Sequence, residues 1–408
     1  MLRHRNAALL VVAASYGLSS MGDQMAIVAL TLRLHGQGQP GVVVSALVIA
    51  GVVPVVVVGP LAAPLVDRME SRRLVLIVTA LQTLVAAGLV ITDQVAVTIV
   101  LLALLGAGLA LVSPALQLLV PQIVEGDQTA QGYARLEAFR TGGNVAGPAL
   151  AGLLVASTDD RVVLLLNTVT FAAMAMAFLL LPIRRESVPS TGSSTGWLGQ
   201  VREGVGVLAG DRLLRTAIGA LACAIVFTAI LSVARVFFIR DDLHASDVGY
   251  GWLVTAHTVG MLLSSLLLAP RIPLAWQSRV LAGAGILMGI ALFVSATVPV
   301  YAIALFAFVL TGIANSLQGL AIRNLIHDRV PAEVRGRAFA SSGAVLNGAN
   351  LTGTALGGPA SGVLGGAGAL QLAGMGTLLA TLAAAPALVK GPGAMAVGEN
   401  RTLQEAGD

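Results

Sequence analysis

Residues 63–74 read Ala63-Pro64-Leu65-Val66-Asp67-Arg68-Met69-Glu70-Ser71-Arg72-Arg73-Leu74, and in them Asp67, Arg68, Glu70, Arg72 and Arg73 interrupt two long apolar runs. A charge at the bilayer centre costs about 2.5 to 3.5 kcal/mol, so this stretch predicts a hairpin in water between two membrane spans. The pattern returns 206 residues later. Leu61-Ala62-Ala63-Pro64-Leu65 aligns with Leu267-Leu268-Ala269-Pro270-Arg271, and Asn144, Gly147 and Gly152 align with Asn350, Gly353 and Gly358. Two matches at one offset predict two structurally repeated halves.

Composition agrees with a membrane solvent. The chain is 56% hydrophobic and 11% charged, against about 25% charged in soluble domains. Its 47 glycines suit helices that pack through small side chains. Cys223 lies in an apolar run and is read as a small buried hydrophobe with no internal disulfide partner. The opening Met-Leu-Arg-His-Arg-Asn precedes an apolar stretch of over twenty residues without an Ala-x-Ala site, which predicts a retained first span.

Breaking at charges and prolines gives twelve spans near 7–33, 41–66, 74–92, 95–120, 137–157, 161–182, 213–239, 247–270, 279–297, 299–321, 338–364 and 368–389. The fold class is therefore an all-α integral membrane protein, two six-helix bundles related by a pseudo-two-fold repeat. Its predicted parts are a bundle over 1–182, a cytoplasmic linker over 183–212, a bundle over 213–389 and a tail over 390–408. Trp197, Val201, Val205 and Leu208 recur at helical spacing and predict a short surface helix in that linker. Twenty basic residues fall on the side of the termini, while only Arg33, Arg161 and Arg240 flank the opposite face and Arg235 lies inside span 7. This asymmetry predicts cytoplasmic termini, and it accounts for the basic pI without a nucleic-acid partner.

The charged loop also resembles the signature of the major facilitator superfamily, in which Asp-Arg is followed by a residue, a glycine, another residue and two basic residues. Asp67-Arg68 and Arg72-Arg73 occupy those places, while Ala63 and Glu70 stand where the pattern has glycine. Within the superfamily, Ser20 to Leu32, the pair Pro114 and Pro121, and Pro331 to Ala340 resemble bacterial drug exporters of the macrolide-efflux type. Gly143, Gly147-Pro148 and Gly152 are similar to the span 5 signature of its antiporters. The span 4 arginine of many proton-coupled members is absent. The resemblance implies that spans 1, 4, 7 and 10 line a central cavity. It also implies that Asp67 contacts the start of span 11 near Gly336 to Phe339.

Asp23 is the one carboxylate that lies within an apolar span rather than at its edge. A low dielectric disfavours its ionised form, which suits a group that takes up and releases a proton. Tyr16, Ser19 and Ser20 share its helix face. The expected proton-coupling residues are Asp23 and His257, with Tyr16, Ser20, Asp23, Gln24, Arg235, Asn315 and Gln318 facing substrate. Asp67, Arg68, Arg72, Arg73, Gly147 and Pro148 are expected to switch conformation. Arg235 sits six residues beyond the level of Asp23 by the repeat offset, about 9 Å at 1.5 Å per residue, which argues against an Asp23–Arg235 ion pair.

The function expected is a monomeric secondary exporter working by proton-coupled antiport. It would exchange an amphipathic organic compound for H+ across the lipid bilayer, without cofactor or metal. An exporter of an endogenous product such as a siderophore is the alternative; a non-transporting sensor or scaffold is the alternative of another class. An enzyme is not expected, since the phosphate-loop and His-Glu-x-x-His patterns do not occur in the sequence.

Overall fold

The computed structural model describes residues 2–124, 129–181 and 205–389, and these form helices joined by short turns, with no strand among them. The first six helices are α1 (Leu2–Gly36), α2 (Gly41–Arg68), α3 (Ser71–Ile91), α4 (Val95–Ile123), α5 (Thr129–Ser157) and α6 (Asp160–Leu180). After the linker come α7 (Arg212–Thr228), α8 (Leu231–Phe237), α9 (Asp247–Leu263), α10 (Gln277–Thr297), α11 (Tyr301–Arg329) and α12 (Ala332–Val389). Most of the predicted surface helix, 197–204, and the tail lie outside the described residues, as do the side chains of Asp67 and Arg68.

Among the described residues, nine helical stretches are long and apolar enough to cross a membrane. Polar residues keep α1 and α5 out of that set. In α1 the run is diluted by Ser15, Ser19, Ser20, Asp23 and Gln24, and in α5 by Arg135, Glu137, Arg140 and Asn144. Spans 11 and 12 are fused into α12, which breaks at Gly365, where φ is 72° and ψ 179°. Glycine alone reaches that conformation readily.

Two predicted spans are interrupted. Span 7 is split between α7 and α8 and ends in a π-helical turn, Phe238–Asp242. Span 8 leaves α geometry in a second π turn, Ser264–Leu268, followed by a 3-10 turn, Ala269–Arg271. Pro270 lacks a backbone N–H and cannot continue the α-helical ladder, so the helix unwinds ahead of it.

The chain forms two compact units: Met1–Ser194 with Ser232–Thr258 and Thr354–Gly366, and Thr195–Leu231 with Val259–Gly353 and Ala367–Asp408. The first has a core of Leu9, Val12, Leu74, Val75, Leu116 and Phe178. Its main seam runs between α1 and α5. There a Cβ added to Gly147 would lie 2.7 Å from the Gln24 Cβ and 2.8 Å from the Met21 carbonyl oxygen, so the backbones meet without intervening side chains. Arg72 donates from Nε to the Phe178 carbonyl and from Nη2 to the Leu179 carbonyl, both at 2.9 Å, which satisfies the end of α6. Arg73 pairs with Glu70 at 2.9 Å.

The second unit has a core of Leu214, Leu281, Ile322, Ile326, Ala338 and Leu388. Asp211 caps α7, accepting from Leu213 N at 2.7 Å and Leu214 N at 3.0 Å, and its other oxygen accepts from Arg329 at 2.9 Å. Cys223 corrects the sequence reading, since it is exposed on α7. Lipid covers apolar side chains as well as protein does, so an apolar run does not tell an inward face from an outward one. Leu84, Ile91 and Val363 are likewise exposed.

Candidate functional site

The site starts on α1. Tyr16, Ser19 and Ser20 are buried, and Asp23 remains partly accessible. Among the described residues no cation pairs with Asp23. In particular, no Asp23–Arg235 ion pair forms, as the depth argument anticipates. Gly22, next to Asp23, faces the buried Asn167 of α6, whose Nδ2 has no acceptor.

Tyr16 is hydrogen-bonded to Ser113 of α4 and lies in the field of Arg140, Glu137 and Asp23. Arg140 holds Glu137 through both oxygens, from Nε at 2.9 Å and from Nη2 at 2.5 Å. Sequence reasoning missed this pair because it began span 5 at 137. The helix begins at Thr129, so both residues sit well inside it. Their i, i+3 spacing was the available signal, because such a pair offsets much of the cost of carrying either charge on a membrane helix.

The remaining predicted residues are placed as follows. Gln24 lies at the α1–α5 seam against Gly147. Arg235, on α8, and His257, on α9, interact electrostatically, and the buried Arg235 Nε has no hydrogen-bond partner. Asn315 is exposed and Gln318 buried on α11, in the second unit. An apolar groove of about 420 Å³ runs along α1 and α5, lined by Ala14, Leu18, Met21, Phe139 and Gly142, with Gly17 at its floor.

At the Gly36 end of the first unit, the 206-residue repeat becomes a set of contacts. A Cβ on Gly358 would lie 2.6 Å from the Gly41 carbonyl oxygen, and one on Gly152 would meet the Asp247 carbonyl oxygen. The offset carries Gly152 onto Gly358 and Gly41 onto Asp247, so these two contacts are images of each other. Ser45 Oγ donates to the Thr354 carbonyl at 2.9 Å. Its image is the approach of Gly251 to the Pro148 carbonyl, 2.5 Å from a built Cβ. Thr255 Oγ1 donates to the Val145 carbonyl at 3.3 Å. Pro148 therefore sits where α5 meets α9, and segments 232–258 and 354–366 close against the N-terminal helices.

A family model described as Major Facilitator Superfamily matches residues 12–238 and again 216–402. The chain is 25% identical over 360 residues to the uncharacterised MFS-type transporter YfiS of Bacillus subtilis (strain 168), covering 86% of each chain. Among solved structures it is similar to the nucleoside transporter NupG, with a TM-score of 0.75 at 12% identity, over 95% of this chain and 99% of that one. It is also similar to a bacterial homologue of the iron transporter ferroportin in an inward-facing state, with a TM-score of 0.71 at 17% identity, over 96% and 100%.

Proposed function

This chain belongs to the Major Facilitator Superfamily, and on that premise we propose that it is a secondary exporter. In this reading it exchanges cytoplasmic amphipathic organic molecules for H+ across the inner membrane of a bacterium. One observation supports the coupling: Asp23 is a partly accessible carboxylate that no described ion pair includes, on α1, which this reading takes as the first span. An unpaired carboxylate on a membrane helix is costly even when partly accessible, and in a transporter that cost is offset when the group exchanges a proton between the two faces. Tyr16 and the Glu137–Arg140 pair lie on the same side of the unit and supply a polar route from Asp23 toward the inner end.

The distribution of arginines supports cytoplasmic termini and makes the Gly36 end the outer one. In this reading access alternates between the two faces, and the contacts at that end part when the protein opens outward. In this reading His257, Arg235, Ser20 and Gln24 are the polar candidates of the first unit for contact with substrate, and Asn315 and Gln318 are those of the second. The loop residues Asp67, Arg68, Arg72 and Arg73, with Gly147 and Pro148, accompany the change of state. The groove along α1 and α5 is lined almost wholly by apolar side chains, which favours a drug-like cargo over a siderophore.

The test is transport in everted vesicles that contain the chain, across a panel of amphipathic cations and neutral antibiotics, with an imposed pH gradient. Accumulation that collapses with the gradient supports the reading. Accumulation driven only by Na+, or none for any compound that confers resistance in cells, contradicts it.

A further inference from the structure

The charged residues at the outer end fall into two kinds. Arg33 with Asp160, and Arg161 with Asp93 at 2.8 Å, join residues of the N-terminal half; Arg240 with Asp247 at 3.1 Å joins residues of the C-terminal half. Such pairs travel with their own half and persist in every state of a rocking cycle. Among the described ion pairs at this end, His35 with Asp241 alone joins one half to the other, Nε2 to Oδ1 at 2.9 Å. Phe237 lies edge-on to the His35 ring, with centroids 5.4 Å apart. The repeat offset carries position 35 onto position 241. The pair is therefore its own image and stands on the pseudo-two-fold axis.

We propose that His35 and Asp241 are positioning residues that latch the outer end closed, and that the two can be exchanged because they occupy equivalent places in the repeat. When the outer end opens, the related contacts Gly41–Gly358 and Gly152–Asp247 part on either side of the axis. The latch, at the centre, must break with them. It needs only a hydrogen on His35 Nε2 and an acceptor on Asp241. The proposal rests on the alternating-access part of the reading above, and it is independent of cargo and of proton coupling.

The experiment reads outer opening without transport. In a Cys223→Ser background, Ser45→Cys places a thiol at the buried contact with Thr354. Its labelling rate by a membrane-impermeant maleimide is measured in right-side-out vesicles. His35→Ala and Asp241→Ala should each raise the rate about fivefold, the population change one exposed ion pair supports. The double alanine variant should do no more than either single variant, because both remove the same contact. The exchange, His35→Asp with Asp241→His, keeps the pair and loses the Phe237 contact, so it should return most of the way to the parental rate. Unchanged rates in the single variants, or an exchange that labels faster than either, would overturn the latch. Should an alanine variant fail to insert, His35→Gln and Asp241→Asn give the same comparison at nearly constant shape.

Discussion

Gly358→Ala puts one methyl group into the Gly41–Gly358 seam proposed to close the outer end. The new Cβ would lie 2.6 Å from both the Gly41 carbonyl oxygen and the Ser45 Oγ. Carbon and oxygen rest nearer 3.3 Å, so the helices must separate by roughly 0.7 Å or the carbonyl must turn. Overpacking of this kind costs about 1 to 3 kcal/mol. The gain in helix propensity from glycine to alanine, about 1 kcal/mol, acts in open and closed states alike and cancels. The closed-to-open ratio should therefore fall by about five- to 150-fold. Gly152→Ala, at the image position, should act in the same direction, since its Cβ would lie 3.0 Å from Gly251 Cα. Gly362 is the control, because nothing lies within 4 Å of a Cβ there. Spin labels at the exposed positions Gln37 and Ser246 report the opening as a longer distance by pulsed electron resonance. If Gly358→Ala and Gly362→Ala give the same distance distribution, the seam is not what holds the outer end shut.

Other perturbations have defined outcomes. Asp211→Ala removes the cap of α7 and the pair with Arg329, and should destabilise the protein in detergent by about 1 to 2 kcal/mol, measured by thermal unfolding. Burial pushes the Asp211 carboxyl up, but the Leu214 N–H and the Arg329 guanidinium outweigh it and hold it below the ordinary carboxylate value. Its contribution is thus present above the unfolded value of about 3.9 and lost as pH falls through the lower folded value, so parent and variant should converge in acid. Glu137→Gln releases Arg140 beside Tyr16, and should slow proton-driven transport at least tenfold while leaving the melting temperature within a few degrees; unaltered transport would remove the pair from the route. Asp67→Asn, chosen from the loop sequence, should impair transport in vesicles without loss of protein in the membrane.

Much of this was legible in the sequence because membranes punish charge. Five charges in a short loop, one carboxylate in α1 and the sidedness of the arginines admit few readings, and the 206-residue offset was visible in glycines. The same logic hid Glu137 and Arg140. Treating charge as a boundary cut α5 short, whereas the two residues neutralise each other within it. Cys223 was misplaced because lipid and protein interiors select the same residue types. The split of span 7 follows from backbone packing that no residue in Ala229-Ile230 announces. The His35–Asp241 contact could have been found by applying the offset to charged residues as well as to small ones.

Asp23 is proposed to carry the coupled proton. The direct measurement is Asp23→Asn in proteoliposomes, with substrate exchange and pH-gradient-driven accumulation measured on the same preparation. Exchange should persist while accumulation is abolished, with His257→Gln showing the smaller loss. Asp23→Asn vesicles that still concentrate substrate when a pH gradient is imposed would contradict that role.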